Sequence, residues 1–220
     1  IDSLKEEYVG QRAKVTSLAQ KLHDSRQKAA LQLSQRIEES LVFLSMPNAR
    51  FCIEIDPASE QKTKFTKKGT DTVRFLLSAN RGEDPKPLSK VASGGELSRI
   101  MLSFKNVLGS GDSATAIFDE IDTGVSGKAA SRVASMLRSI AGSRQVLCVT
   151  HLPQIACAAQ HQYRISKSTV GARTQTKVEK LDRAGRIEDL CRLIGGEHIT
   201  QATAASAEQM LMQAENEYKD

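Results

Sequence analysis

Residues 1–46 contain no proline and carry apolar or small residues at Leu4, Tyr8, Val15, Leu18, Leu22, Ala29, Leu33, Ile37, Leu41 and Leu44. The early spacings alternate threes and fours, with Gln11 and Ser25 as polar interruptions. From Ala29 to Leu41 the spacing is four throughout. This is a heptad stripe broken by a stutter. A helix of that length spans roughly 60 to 65 Å, too long to lie on a domain made from the rest of 220 residues. The stripe therefore predicts one strand of an antiparallel coiled coil over residues 1–46, its partner helix outside this chain. An ordinary amphipathic helix packed on the core is the competing expectation. Gly10 weakens the first turns, and Pro47-Asn48 stops the helix.

Residues 47–220 read as mixed α/β. Arg50–Ile55 and Thr72–Ala79 alternate as two antiparallel strands joined through a Lys68-Gly69 turn, and Asn80–Pro87 reads as a loop. Lys62, Lys64, Lys67 and Lys68 could meet nucleic-acid phosphates or simply be solvated. Lys and Arg exceed Asp and Glu by 31 to 26, an excess that permits nucleic acid without requiring it. No apolar run approaches a membrane span, and the first residues lack the apolar core of a signal peptide. Cys52, Cys148, Cys157 and Cys191 are scattered, which predicts free thiols rather than zinc or disulfides. Trp is absent and aromatics are 4%, so base-stacking platforms are not expected.

Chemistry concentrates in two strings. In Thr115–Gly124, the apolar run Ala116-Ile117-Phe118 precedes Asp119 and Glu120. The run predicts a strand buried on both faces of a parallel sheet. Carboxylates at the carboxyl end of such a strand stand where α/β sheets bind ligands. One could hold Mg²⁺ and the other orient or deprotonate a water. Ahead of it, Ser93-Gly94-Gly95-Glu96 opens a helical pattern through Leu97, Ile100, Met101, Phe104, Val107 and Leu108. Paired glycines let a backbone approach a ligand, and a helix start offers unpaired N–H groups to an anion. A helix from Gly127 to Ile140 and a second apolar strand, Gln145–Thr150, follow, with His151 at that strand's end. Downstream, Leu152–Ala159 predicts a short helix, and Tyr163–Lys167 with Thr174–Leu181 a hairpin. Ile187–Ile194 predicts a further helix, and Thr200–Tyr218 a last one that covers the sheet.

In order and spacing, Ser93–Glu96, Asp119-Glu120, Asp122 and His151 resemble the signature, Walker B, D-loop and switch histidine of ABC-type ATPases, SMC-like heads included. Ser78–Glu83, Lys90–Arg99, Asp119–Gly127, Val149–Ala156 and Arg192–Gly196 narrow the likeness to bacterial SMC-like DNA repair ATPases. The likeness implies the C-terminal lobe of an ABC/SMC-type P-loop NTPase head, preceded by a coiled-coil arm. It implies Asp119 as metal ligand, Glu120 as base or water-orienting group, and His151 as γ-phosphate contact. Asp122 would work across a dimer interface. Ser93, Gly94, Gly95 and Glu96 would close on ATP bound to a second head. The implied cofactors are ATP and Mg²⁺. The implied partners are an N-terminal P-loop lobe, a second copy of the head, and DNA, in the cytoplasm at the nucleoid. No G-x-x-x-x-G-K-[ST] occurs; Gly127-Lys128 is followed by Ala129. The chain thus reads as half of a site, inactive by itself. A head lobe of another SMC-like or ABC-type system, and a non-catalytic scaffold arm, are the alternatives.

Overall fold

A computed structural model of the chain describes residues 1–57, 65–90, 94–109, 114–170, 173–196 and 198–217. The chain divides into two compact units, Ile1–Ser93 and Gly94–Asp220.

The first unit is built on α1 (Asp2–Phe43), 42 residues long and about 63 Å at 1.5 Å per residue. Of its residues only Ile37, Ser40 and Leu41 are buried. The stripe residues Leu4, Tyr8 and Leu18 stand exposed. The helix stops ahead of Pro47, where Ser45 turns left-handed at φ 64°. The Met46 N–H donates back to the Leu41 carbonyl at 2.9 Å. The last turns of α1 pack on β1 (Arg50–Asp56), which pairs antiparallel with β2 (Thr72–Ser78), Phe51 opposite Leu77. Leu44, Ala49, Phe51, Leu76 and Leu77 are buried in this unit. Residues Lys86–Pro87, expected in a loop, form a short strand β3 on the far edge of β2. Proline suits an edge position because it has no N–H to give a further strand.

The turn before β2 grips the long helix. The Asp71 side chain is 1% exposed; Arg26 Nη1 donates to it at 2.8 Å and His23 Nδ1 lies 2.9 Å away, hydrogen-bonded. Arg26 Nη2 also donates to the Lys68 carbonyl at 2.7 Å. At Gly69, φ 86°, the backbone is left-handed, a conformation that favours glycine, and the turn lies against the Leu22 side chain of the helix, whose Cδ2 a Cβ would meet at 2.8 Å. Lys67 and Lys68 are exposed; Lys62 and Lys64 lie outside the described residues.

The second unit opens with α2 (Gly94–Leu108), followed by β4 (Thr115–Phe118), α3 (Gly127–Ala141) and β5 (Gln145–Cys148). Strands β4 and β5 pair in parallel, Phe118 opposite Cys148, with α3 as the crossover. Ala130, Val133, Ala134, Leu137 and Ile140 form the buried stripe of α3. Strand β4 is not buried on both faces as its apolar run predicts. Ala116 and Phe118 point inward, whereas Thr115 and Ile117 are exposed, Ile117 at 71%. The described residues cover only one face of the strand pair. On the apolar stripe of α2, Ile100 is buried but Leu97, Met101 and Leu108 are exposed.

Beyond β5, α4 (Pro153–Ala156) is a single turn, shorter than the sequence predicts. A hairpin of β6 (Tyr163–Val170) and β7 (Arg173–Lys180) follows, its connecting residues 171 and 172 outside the described set. Two helices end the described chain, α5 (Arg183–Gly195) and α6 (Gln201–Glu217). The Asp182 side chain accepts from the Gly185 N–H at 2.8 Å and caps α5. The expectation that the last helix covers the sheet fails. Ala207, Leu211 and Ala214 pack instead with Ala156, Cys157, Leu190 and Cys191, a core made by α4, α5 and α6 and the turn after α4. Residues at four- and three-residue spacing give α6 one apolar face, with the small Ala207 and Ala214 on either side of Leu211. All four cysteines are free.

Candidate functional site

Parallel pairing decides where the chemistry gathers. With Phe118 opposite Cys148 and the Val149 N–H donating to the Phe118 carbonyl at 2.9 Å, both strands end at one edge. Asp119 and Glu120 leave β4 there, and Thr150 and His151 leave β5. Both carboxylates are exposed. Glu120 has φ 52°, a left-handed conformation that costs a non-glycine residue about 1 kcal/mol. The turn that follows holds it. The Thr123 N–H donates to the Glu120 carbonyl at 3.2 Å, and the Val125 N–H to the Asp122 carbonyl at 3.1 Å. Strain of this kind collects where a side chain must be aimed.

Ile121 and Asp122 turn inward, 1% and 3% exposed. The Asp122 carboxylate joins the two strand ends. Thr150 Oγ1 donates to its Oδ2 at 2.5 Å, the His151 N–H donates to the same oxygen at 2.8 Å, and His151 Nδ1 lies 2.9 Å from it. Burial pushes the Asp122 carboxyl upward, but the donors from Thr150 and His151 outweigh it and hold the group below the usual carboxylate range. The His151 ring is 72% exposed. Cys148 is the opposite case. Burial, then the charges of Asp122 and Asp119, push its thiol up to about 12, so it stays protonated and unreactive.

The start of α2 meets this edge from below. A Cβ at Gly95 would lie 2.0 Å from the Thr123 carbonyl oxygen, so only glycine lets the helix start pack on the turn after Asp122. Sequence reasoning assigned that glycine to close approach of a ligand; packing within the unit accounts for it already. Gly94 N-terminal to it begins the helix, and Glu96 in its first turn is half-buried. Ser93 lies outside the described residues. Thr150 is the residue that sequence reasoning missed: its hydroxyl gives no motif, although a Thr-His pair after a buried strand is a signal for a fixed strand end.

Among the described residues, no three metal-ligating side chains assemble into a cage. Two exposed carboxylates suit an ion held mostly by phosphate oxygens and water, as Mg²⁺ is. No helix among the described residues is long and apolar enough to cross a membrane.

No protein-family model matches the chain. It is 47% identical over 189 residues to DNA repair protein RecN of Haemophilus influenzae, covering 85% of this chain and 33% of that protein. To DNA repair protein RecN of Bacillus subtilis it is 37% identical over 227 residues, covering 98% and 39%. Its fold matches the crystal structure of the Smc head domain with a coiled coil and joint from Pyrococcus yayanosii. The TM-score there is 0.54 at 15% identity, over 90% of this chain and 36% of the other. A second Smc head, from Pyrococcus furiosus with an extended coiled coil, gives 0.50 at 17% identity, over 87% and 45%.

Proposed function

We propose, from a likeness to DNA repair protein RecN that spans about a third of the length of those curated relatives and from a fold that matches an Smc head, that this chain is the C-terminal part of an SMC-like ATPase acting in DNA double-strand break repair and recombination. The observation that carries the reading is the shared edge of β4 and β5, which gathers Asp119, Glu120 and His151 at the carboxyl ends of parallel strands. Mg²⁺ shared between Asp119 and nucleotide phosphates would supply charge neutralisation. Glu120, aimed by its left-handed backbone, orients or deprotonates the attacking water. His151 offers an imidazole nitrogen to the terminal phosphate. Water excluded from a closed site strengthens each of these contacts.

The remaining parts of the site lie outside this chain. No P-loop occurs in it, so a P-loop lobe elsewhere in the protein binds the nucleotide. The uncovered apolar face of Ile117, Leu147 and Val149 is where that lobe would lie. The string Ser93 to Glu96 closes on ATP held by a second copy of the head. The exposed stripe of α1, the returning strand, pairs with an antiparallel helix from outside this chain to make the coiled-coil arm, and DNA is the substrate the dimer embraces at the nucleoid in the cytoplasm.

Turnover by the full-length protein tests the reading. Glu120→Gln should permit nucleotide binding while lowering kcat by at least about 100-fold, the scale of a lost general base. Asp119→Asn should weaken Mg²⁺-dependent binding. This chain alone should hydrolyse ATP negligibly. Wild-type turnover in Glu120→Gln would refute the assignment.

A further inference from the structure

Asp122 is the most buried ionised group at the strand edge, and it faces its own chain. Two donors, the Thr150 hydroxyl and the His151 N–H, converge on one carboxylate oxygen, and His151 Nδ1 stands 2.9 Å from that same oxygen. A carboxylate held ionised only accepts. A neutral imidazole with a bare Nδ1 would set two lone pairs against each other at that distance. Nδ1 must therefore carry a proton, whatever the charge on the ring. The His151 backbone N–H, bound to the same oxygen, ties the ring's origin as well as its near nitrogen. What is left for a ligand is Nε2, on a ring that is 72% exposed. Beside this, a carboxylate 3% exposed with its contacting oxygen so occupied has little to offer a second protein chain.

We infer that Asp122 is a positioning residue acting within its own chain: it fixes the tautomer and orientation of His151, so that the imidazole meets a phosphate only through Nε2. This rests on the ATPase reading for the identity of the ligand, but not for the tautomer. The consequence is chemical. A neutral His151 held this way presents Nε2 as an acceptor, and a protonated one presents Nε2–H as a donor. The strand edge can thus donate to phosphate from His151 only when the ring carries both protons. Thr150 supports the arrangement by its hydrogen bond to Asp122, and carries no contact of its own to a ligand.

The test is ¹⁵N NMR on the chain labelled at histidine, whose four imidazoles are separated by a His151→Gln variant that removes one signal. In its neutral form, His151 should show a protonated Nδ1 and a bare Nε2. Asp122→Ala should shift the population toward the Nε2–H form that free imidazole side chains favour in water, while Thr150→Val, which keeps the carboxylate, should hold the Nδ1–H form. A wild-type His151 found as Nε2–H overturns the inference, and that measurement needs no variant to fold. In the full-length protein, Asp122→Ala should lower kcat by about 10- to 100-fold, the scale seen for residues that orient a reacting ligand through another group. Nucleotide affinity should change little, and Asp122→Ala should add nothing once His151→Ala is present. Additive losses overturn the positioning role. Full turnover with the tautomer switched leaves the positioning intact and removes the ATPase role of His151 instead, so the two readings fail separately.

Discussion

Among the described residues, two Asp–His pairs stand at the same separation, 2.9 Å from Nδ1 to a carboxylate oxygen, and they do different work. In the first unit, Asp71 faces His23 and Arg26 together, and the His23 side chain is 12% exposed. Both carboxylate oxygens are occupied by cationic or potentially cationic partners on α1, and the ring is closed in. In the second unit, Asp122 is met by a hydroxyl, a backbone N–H and an imidazole that is 72% exposed. Distance does not separate a clamp from a working site. Exposure of the far nitrogen does, because a ring with both edges enclosed has nothing to offer a ligand. The Asp71 pair fastens the turn before β2 to the long helix, and the Asp122 pair fixes one strand end relative to the other and leaves a nitrogen free.

The largest expected effect separates the two carboxylates. Asp71→Ala removes the acceptor shared by Arg26 and His23 in a part-buried site and should cost about 2 to 3 kcal/mol of stability, the upper end of the scale for hydrogen bonds to a charged group. Asp122→Ala strands a hydroxyl and one N–H near an exposed ring, and should cost about 1 to 2 kcal/mol. Urea denaturation of the two variants measures both. Equal losses would erase the distinction drawn between clamp and site.

Acid should weaken both pairs in the same direction. For Asp71, burial raises the carboxyl, and the bonds from Arg26 and His23 bring it below its ordinary value; Asp122 is lowered by its own donors against the same opposition. A carboxyl lowered on folding stabilises the native state above its unfolded value, about 3.9, and that contribution is lost as pH falls through the lower folded value. Stability should thus decline as pH drops below about 4, and Asp71→Asn and Asp122→Asn should each flatten the decline. A decline that neither variant alters would mean other groups carry it.

The histidines come next in size. His23→Ala removes an enclosed partner of a buried carboxylate and should cost about 1 to 2 kcal/mol. His151→Ala removes a ring mostly in solvent and should cost less than about 0.5 kcal/mol, because the backbone N–H and the Thr150 hydroxyl still satisfy Asp122. A large loss of stability at His151 would make it a structural residue.

The sequence showed these two pairs unequally. His151 and Asp122 stand in strings whose order and spacing match a family, and parallel pairing of two apolar strands was legible from Ala116–Phe118 and Gln145–Thr150. The long helix was legible because nothing before Pro47 interrupts it. The Asp71 clamp was not, because His23 and Asp71 are 48 residues apart in the chain and no local pattern records a contact made by folding a turn back on a helix. Burial on one face of β4 was illegible for a related reason. An apolar run states what a strand tolerates, whereas the cover comes from elements far away or outside the chain. The last helix was misplaced because Ala, Met and Gln fit against a sheet or a helix equally well by composition, and only Ala207, Leu211 and Ala214 facing Leu190 and Cys191 decide it.

The smallest expected effect uses a thiol as a reporter of charge. Cys148 closes β5, opposite Phe118, and its thiol is pushed up to about 12 by burial first and by the charges of Asp122 and Asp119 second. Only the thiolate attacks an alkylating agent. At pH 8 it should therefore react slower than an unperturbed cysteine by on the order of 100-fold or more, given an ordinary value near 8.5. Asp122→Asn removes one of the two charges and keeps an oxygen for the Thr150 and His151 donors, so burial and packing stay nearly as they are. The rate at Cys148 should then rise a few-fold, read by mass spectrometry of the peptide that carries it. Asp71→Asn should leave that rate unchanged, since Asp71 is not among the charges acting on the thiol. A rise after Asp71→Asn would mean that the substitution loosens the fold generally. No rise after Asp122→Asn would mean that burial alone protects Cys148 and that the Asp122 charge is fully spent on its own donors.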